Sequence, residues 1–100
     1  MRRSTLRFVV AMLLLGYAAA SAQDAGNGQR LSERGCAACH PIGPSNAKSS
    51  RSFASIAAKP GMTSEIIASY LMLPHATMPS LPLKQDDAQD IAAYIMKQKK

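Results

Sequence analysis

The sequence predicts a small all-α domain with three main helices and one short helix. Apolar residues recur every three or four positions in four separate segments, which is the period of an amphipathic helix. Proline, glycine and polar residues separate these segments, as expected at helix ends. No stretch after residue 22 alternates apolar and polar residues as a half-exposed strand does. These three observations favour helices joined by loops.

The first 22 residues predict a cleaved secretory signal. A basic head, residues 1–7, precedes an apolar stretch from Phe8 to Ala20, and Ala20-Ser21-Ala22 has the small residues that a signal peptidase accepts. The apolar stretch is shorter than the roughly 20 residues that span a bilayer, which disfavours the alternative of a retained anchor. We therefore expect cleavage after Ala22, a domain of residues 23–100 in the periplasm or an equivalent exported space, and no stable membrane insertion.

The size and charge of residues 23–100 limit the classes of function. Nine basic and six acidic residues give this part a net charge of +3. The basic residues are scattered apart from a C-terminal group, which disfavours nucleic acid as a partner. A core in a chain this short supplies only about 3–5 kcal/mol, so the domain needs a further source of stability.

The first two helices are predicted on either side of a polar loop. The first runs from Gly28 to Ala38, and its small or apolar face contains Gly28, Leu31 and Gly35. The second is short, runs from Phe53 to Lys59, and ends at Pro60-Gly61.

The last two helices are the more strongly amphipathic ones. One starts at Thr63 or Ser64 and ends before Pro74, and its inward residues are predicted to be Ile66, Ile67, Tyr70 and Leu71. The other runs from Gln85 to about Gln98, with Ala88, Ile91, Tyr94 and Ile95 on its buried stripe. Aspartates in its first turns and lysines at its end match the helix dipole, so we interpret those lysines as a solvated helix end.

The segment Cys36-Ala37-Ala38-Cys39-His40 contains the two cysteines of the chain. In an exported protein this spacing is compatible with a disulfide, a redox dithiol, half of a zinc site or a haem attachment site. A structural zinc site needs four ligands, and only His75 is left to complete one. A redox dithiol is expected beside a strand and helix unit, and no strand is predicted here.

The histidine directly after the second cysteine favours haem. Cysteines three positions apart, on neighbouring turns of one helix, can form thioethers with the two vinyl groups of a haem, and His40 then reaches the iron from the same side. A covalent haem also adds buried apolar surface to a domain that is short of it. We expect one haem c, attached through Cys36 and Cys39, and an apoprotein that is mostly unfolded.

A second axial ligand is expected from one of the remaining methionines or histidines: Met62, Met72, Met78, Met96 or His75. Residues 74–82 contain three prolines and are predicted to be stiff and extended. Such a segment can hold a weak thioether ligand, which favours Met78. His75 lies in the same segment and is the alternative.

Residues 28–97 resemble a small, short-loop bacterial form of the class I cytochromes c. The residues that carry the resemblance are Gly28 and Leu31, Cys36 to His40, Ser52 to Ala57, Tyr70-Leu71 and Pro74, Met78-Pro79, and Asp90 to Ile95. The resemblance implies a cytochrome c fold wrapped around one haem, with His40 and Met78 as axial ligands. It also implies a haem-pocket Tyr70 that can hydrogen-bond the ligand methionine, and a helix crossing at Gly28 or Gly35 against Tyr94.

Two positions depart from the family pattern. Relatives usually place Gly-Pro some twelve residues after the histidine, where the proline carbonyl accepts the imidazole proton, and this chain has Ser50-Arg51 there. Lys84 stands where relatives often have a Ser or Thr cap for the last helix.

The predicted function is one-electron transfer between redox proteins, without an enzymatic activity of its own. The alternative is an electron-accepting subunit of an exported dehydrogenase or oxidase. A haem protein with an open sixth position, such as a cytochrome c′, is disfavoured. A cytochrome c′ carries its attachment motif near the C-terminus of a four-helix bundle, whereas the motif here lies near the start of residues 23–100. Four basic residues are candidates for steering an acidic partner, and for each the alternative is an ordinary solvated surface charge: Lys48, Arg51, Lys59 and Lys84.

Overall fold

The structure is a computed structural model and describes residues 23–43, 49–73, 78–79 and 81–99. Four helices follow in order: α1 (Ala25–Gly35), α2 (Phe53–Ala57), α3 (Ser64–Leu71) and α4 (Gln85–Lys97). The described ranges contain no strand, which confirms the all-α prediction. The last helix, α4, packs against each of the other three and is the centre of the fold.

Helix α1 begins and ends three residues earlier than the sequence predicts. The Asp24 side chain accepts a hydrogen bond from the Asn27 amide at 3.0 Å and so caps the helix. At the other end Cys36 is the C-cap, with its amide donating to the Ser32 carbonyl at 2.8 Å. The predicted helix through Ala38 is therefore wrong, because the chain turns at the first cysteine.

The crossing of α1 and α4 depends on Gly28. A Cβ atom at this buried position would overlap the Asp90 carbonyl oxygen and lie 2.5 Å from its carbon, so only glycine fits. The Asp90 carboxylate strengthens the crossing by accepting from the Asp24 amide at 2.8 Å and from Asn27 Nδ2 at 2.9 Å. A Cβ at Gly35 would meet nothing within 4 Å, so of the two predicted glycines Gly28 makes the crossing.

Hydroxyl caps begin the two middle helices. Ser52 Oγ accepts from the Ser55 amide at 3.1 Å to start α2, and Thr63 Oγ1 accepts from the Ile66 amide at 3.2 Å to start α3. Helix α2 ends two residues before the predicted Lys59, and Gly61 completes the following turn with a φ of +75°. The predicted bounds of α3 are confirmed. Lys84, as the sequence indicates, gives α4 no side-chain cap.

The core lies where the other helices meet α4. Its buried members include Phe53 of α2, Ile67 of α3, and the predicted stripe of α4: Ala88, Ile91, Tyr94 and Ile95. In α3 the prediction is only partly right, since Ile66 and Tyr70 remain 46% and 62% exposed. These two residues are four positions apart and share a face of α3 that does not point at α4.

Within the described residues, none of the helices is both long and apolar enough to cross a membrane. Residues 1–22, the predicted signal, lie outside the described ranges.

Candidate functional site

The motif residues form a compact turn directly after α1. The amides of Cys39 and His40 both donate to the Cys36 carbonyl, at 3.1 and 2.9 Å. This turn brings the two cysteines and the histidine together, although the cysteines do not share a helix as the sequence predicts. Neither cysteine is in a disulfide, and Cys36 is buried whereas Cys39 is exposed.

The sulfur of Cys36 lies in a buried, apolar environment. Burial raises the pKa of the Cys36 thiol, and the Ser32 hydroxyl one helical turn earlier only partly opposes this by lowering the pKa. The Ser32 hydroxyl is itself fully buried, and its oxygen has no hydrogen bond of ordinary geometry to the described part of the chain. Cys36 is therefore held as a neutral, apolar side chain against the core.

The orientation of His40 is set by a backbone carbonyl. Its Nδ1 lies 2.7 Å from the carbonyl oxygen of Arg51, and its ring packs against Phe53 with 5.8 Å between the centroids. A carbonyl oxygen can only accept, so Nδ1 carries the proton. In the neutral imidazole this leaves Nε2 with a lone pair, as a metal ligand requires.

A four-residue turn holds the Arg51 carbonyl in place. The Ser52 amide donates to the Ser49 carbonyl at 3.0 Å, and the Arg51 amide donates to Ser49 Oγ at 3.3 Å. Next to this turn, the Phe53 amide donates to the Pro41 carbonyl at 2.9 Å. The turn and this backbone hydrogen bond together hold the Arg51 carbonyl against the histidine, although this chain lacks the Gly-Pro that the family resemblance leads one to expect.

A second feature of the described surface is an exposed apolar face on α3 and the residues after it. Ile66, Tyr70 and Leu73 follow one another at helical spacing and are 46%, 62% and 60% exposed. Large exposed apolar side chains in a chain of this size indicate a surface that a ligand or partner covers.

A groove of about 420 Å³ lies on a different side of α3. It runs between α3 and α4, from Ser64, Ala68 and Met72 to Gln85 and Gln89, and none of its lining residues belongs to the motif. Separately, the described residues contain no cluster of three or more His, Cys, Asp or Glu side chains that could bind a metal ion by themselves.

Comparison with known proteins decides the family. The chain is 43% identical over 95 residues to cytochrome c-552 of Bradyrhizobium diazoefficiens, an alignment that covers 90% of this chain and 91% of that protein. The chain belongs to the class I cytochromes c. No family model and no solved structure matches it.

Membership of this family confirms the predicted cofactor, so this cytochrome carries covalently bound haem c. The residues fit the group on three counts. Two cysteines outside any disulfide lie in one turn with a histidine, His40 keeps Nε2 available, and α3 presents an exposed apolar face that a flat apolar macrocycle can cover.

The other predicted site residues are described only in part. Met78 is half-buried, and its role as the sixth iron ligand stays a prediction. Tyr70 is exposed on the apolar face of α3, and its role in the haem pocket stays a prediction. The alternative ligand His75 and the steering candidate Lys48 lie outside the described residues.

The Arg51 carbonyl is the functional group that sequence reasoning left unassigned. The residue type at position 51 does not predict this acceptor, because every residue has a main-chain carbonyl. The only pointer is its position eleven residues after His40, close to where relatives place their proline.

Proposed function

We propose that this cytochrome is exported and carries single electrons between redox proteins. In this proposal Cys36 and Cys39 hold one haem through thioethers, and His40 and Met78 are the axial ligands. Residues 1–22 direct export and are removed, and no enzymatic activity is expected of the mature chain.

The observation that carries the proposal is the hydrogen bond from His40 Nδ1 to the Arg51 carbonyl. A histidine in the core or on the surface can take either tautomer, whereas this bond selects the one that presents Nε2. Ligand histidines in metalloproteins almost always donate their other ring proton in this way, because it fixes the ring and raises its basicity. Because His40 directly follows Cys39, the proposed thioether of Cys39 would keep His40 close to the iron.

The chain contributes binding, orientation and exclusion of water. Haem supplies the one-electron chemistry when bound, and the protein tunes it through its axial ligands and surroundings. Two axial ligands supplied by the chain, His40 and Met78, would keep the coordination of the iron unchanged when its charge changes, which favours electron transfer over catalysis. The apolar residues of α3 lower the polarity around the group.

Membership of the family supports electron carriage, and the relative itself is named a cytochrome. The comparison does not favour the alternative of an electron-accepting subunit in a larger dehydrogenase or oxidase. Size-exclusion chromatography of the protein from its native source separates the two, because a carrier elutes as a small monomer.

The direct test is a potentiometric titration of the purified exported protein. We expect one haem per chain, a single one-electron transition, and a reduced form that does not bind carbon monoxide. Carbon monoxide binding by the unaltered protein would contradict the proposal, because it requires an open or easily displaced sixth position.

A further inference from the structure

The peptide group between Arg51 and Ser52 is hydrogen-bonded at both ends. Its carbonyl accepts from His40 Nδ1 at 2.7 Å, and its N–H donates to the Ser49 carbonyl at 3.0 Å. The two bonds form a chain from Ser49 through one peptide plane to the imidazole. Because hydrogen bonds in a chain polarise one another, the bond made by Ser49 makes the Arg51 carbonyl a stronger acceptor.

A second bond from Ser49 acts on the preceding peptide group, between Ser50 and Arg51. Ser49 Oγ accepts from the Arg51 amide at 3.3 Å. In relatives a proline stands near this position, and its ring fixes φ near −65° without an N–H to satisfy. Arg51 has neither the ring nor its restriction, so the Ser49 hydroxyl supplies a restraint that the proline would otherwise supply.

We propose that Ser49 is a positioning residue for the haem: its hydroxyl holds the Arg51 carbonyl on His40 and thereby lowers the reduction potential of the iron. The inference rests on the proposed ligation by His40. A firmly held carbonyl increases the negative character of the imidazole, which donates more strongly and favours the ferric state. Loosening the turn weakens that donation and raises the potential.

The neighbouring bonds make this role separable from folding. Ser52 Oγ caps α2 and donates to Ser55 Oγ at 2.9 Å, and the Phe53 amide stays on the Pro41 carbonyl. None of these bonds uses the Ser49 hydroxyl. Its removal should therefore leave the helices and the haem attached while the turn gains mobility.

The test compares Ser49→Ala with two matched variants. Ser49→Thr keeps the hydroxyl. Ser55→Ala removes a nearby serine hydroxyl that is bonded to Ser52 Oγ, whereas the Arg51 amide is bonded to Ser49 Oγ. For Ser49→Ala we expect a higher reduction potential and about five- to tenfold faster solvent exchange of the His40 Nδ1 proton in the reduced protein, as expected for the loss of one hydrogen bond. Both measurements should match the wild type in Ser49→Thr and Ser55→Ala.

Two results would overturn the inference. One is a Ser49→Ala protein with the wild-type potential and exchange rate, and the other is a Ser55→Ala protein that changes as much as Ser49→Ala. Either result, obtained with haem attached and carbon monoxide excluded, leaves the proposed function intact. Loss of haem from the wild-type chain on denaturation would instead contradict the proposed function and the inference with it.

Discussion

His40 is oriented by the main-chain oxygen of Arg51, 2.7 Å from Nδ1, and by the ring of Phe53, which is tilted by 39° to the imidazole. The main-chain carbonyl of a residue remains when its side chain is substituted. Substitution of Arg51 should therefore alter the local charge while it keeps the tautomer of His40. The carbonyl of Arg51 accepts from His40, whereas its exposed side chain contributes a positive charge to the surface.

Replacing Met78 with Ala tests the sixth ligand. We expect loss of the sulfur-to-iron charge-transfer absorption of the oxidised protein, a lower potential, and carbon monoxide binding by the reduced protein, because the thioether raises the potential and fills the position. The control is Met72→Ala, since Met72 lines the groove between α3 and α4. If Met78→Ala keeps the band and excludes carbon monoxide, Met78 is not the ligand, and His75 is tested next.

Tyr94 predicts how stability depends on alkaline pH. Its hydroxyl donates to the Ile42 carbonyl at 3.4 Å, and its ring packs edge-on against Phe53 with 6.1 Å between centroids. Burial raises the pKa of Tyr94, and the nearby Glu33 charge raises it further. The unfolded chain therefore loses the Tyr94 proton at a lower pH than the folded chain does. The contribution of Tyr94 to folding stability is fully present below pH 10 and is lost as the pH rises through the raised pKa.

Chemical denaturation of the wild type and of Tyr94→Phe at pH 8 and pH 11 measures this effect. The variant keeps the ring and lacks the ionisable group, so its free energy of unfolding should fall less between the two pH values. Equal losses in both proteins would show that Tyr94 does not contribute to the pH dependence.

Among the elements, the contact of α1 with α4 decides the architecture. Gly28 lets the two backbones approach, and Asp90 joins them by accepting from Asp24 and Asn27. These groups are more than 60 residues apart in the chain. These hydrogen bonds thus join the first and the last described helices near the N-terminal end of α1.

Replacing Gly28 with Ala should destabilise this crossing. The added Cβ overlaps the Asp90 carbonyl, which is rigid backbone, so we expect a loss of at least about 1–3 kcal/mol in the free energy of unfolding. Gly35→Ala is the matched control in the same helix. Its Cβ meets nothing, and alanine is favoured in a helix by up to about 1 kcal/mol, so no loss is expected. Equal effects of the two substitutions would contradict the assignment of the crossing to Gly28.

Periodicity predicted α3, α4 and the start of α2 well, with Thr63 as a local mark for the start of α3. Pro60-Gly61 marked the end of α2 only to within two residues. The bounds of α1 were less accurate. Its early start depends on the Asp24 cap and on Asp90, which is brought close only by folding. The prediction that Ile66 and Tyr70 point inward was wrong for α3 and α4 packing, since both are exposed. Periodicity identifies an apolar face of a helix and does not tell which group packs against it.

At the scale of the whole molecule, three helices pack on α4 around a small core, and a covalent haem adds apolar surface to it. The motif, the only two cysteines and the length made the cofactor predictable from the sequence. The Arg51 acceptor was not predictable from residue types, because it is a backbone group placed by a turn. The net charge of +3 for residues 23–100 predicts a preference for acidic redox partners.

The rate of electron transfer to an acidic redox protein should fall modestly as salt rises. Charges are screened beyond about 8 Å at physiological ionic strength, and the haem propionates offset part of the positive charge. A neutral small-molecule oxidant serves as the control and should show almost no salt dependence. Neutralising the exposed Lys59 or Lys84 to Gln should flatten the slope with the protein partner. A rate indifferent to salt would remove the steering role of these residues.

The central claim, a haem fixed covalently by the motif, is tested most directly by haem staining after denaturing electrophoresis of the wild type and of the Cys36→Ser, Cys39→Ser double variant. Thioethers survive denaturation, whereas a bond from His40 alone is reversible. We expect haem to migrate with the wild-type chain and to be absent from the double variant. Haem that still migrates with the double variant, or that is missing from the wild type, would contradict the account.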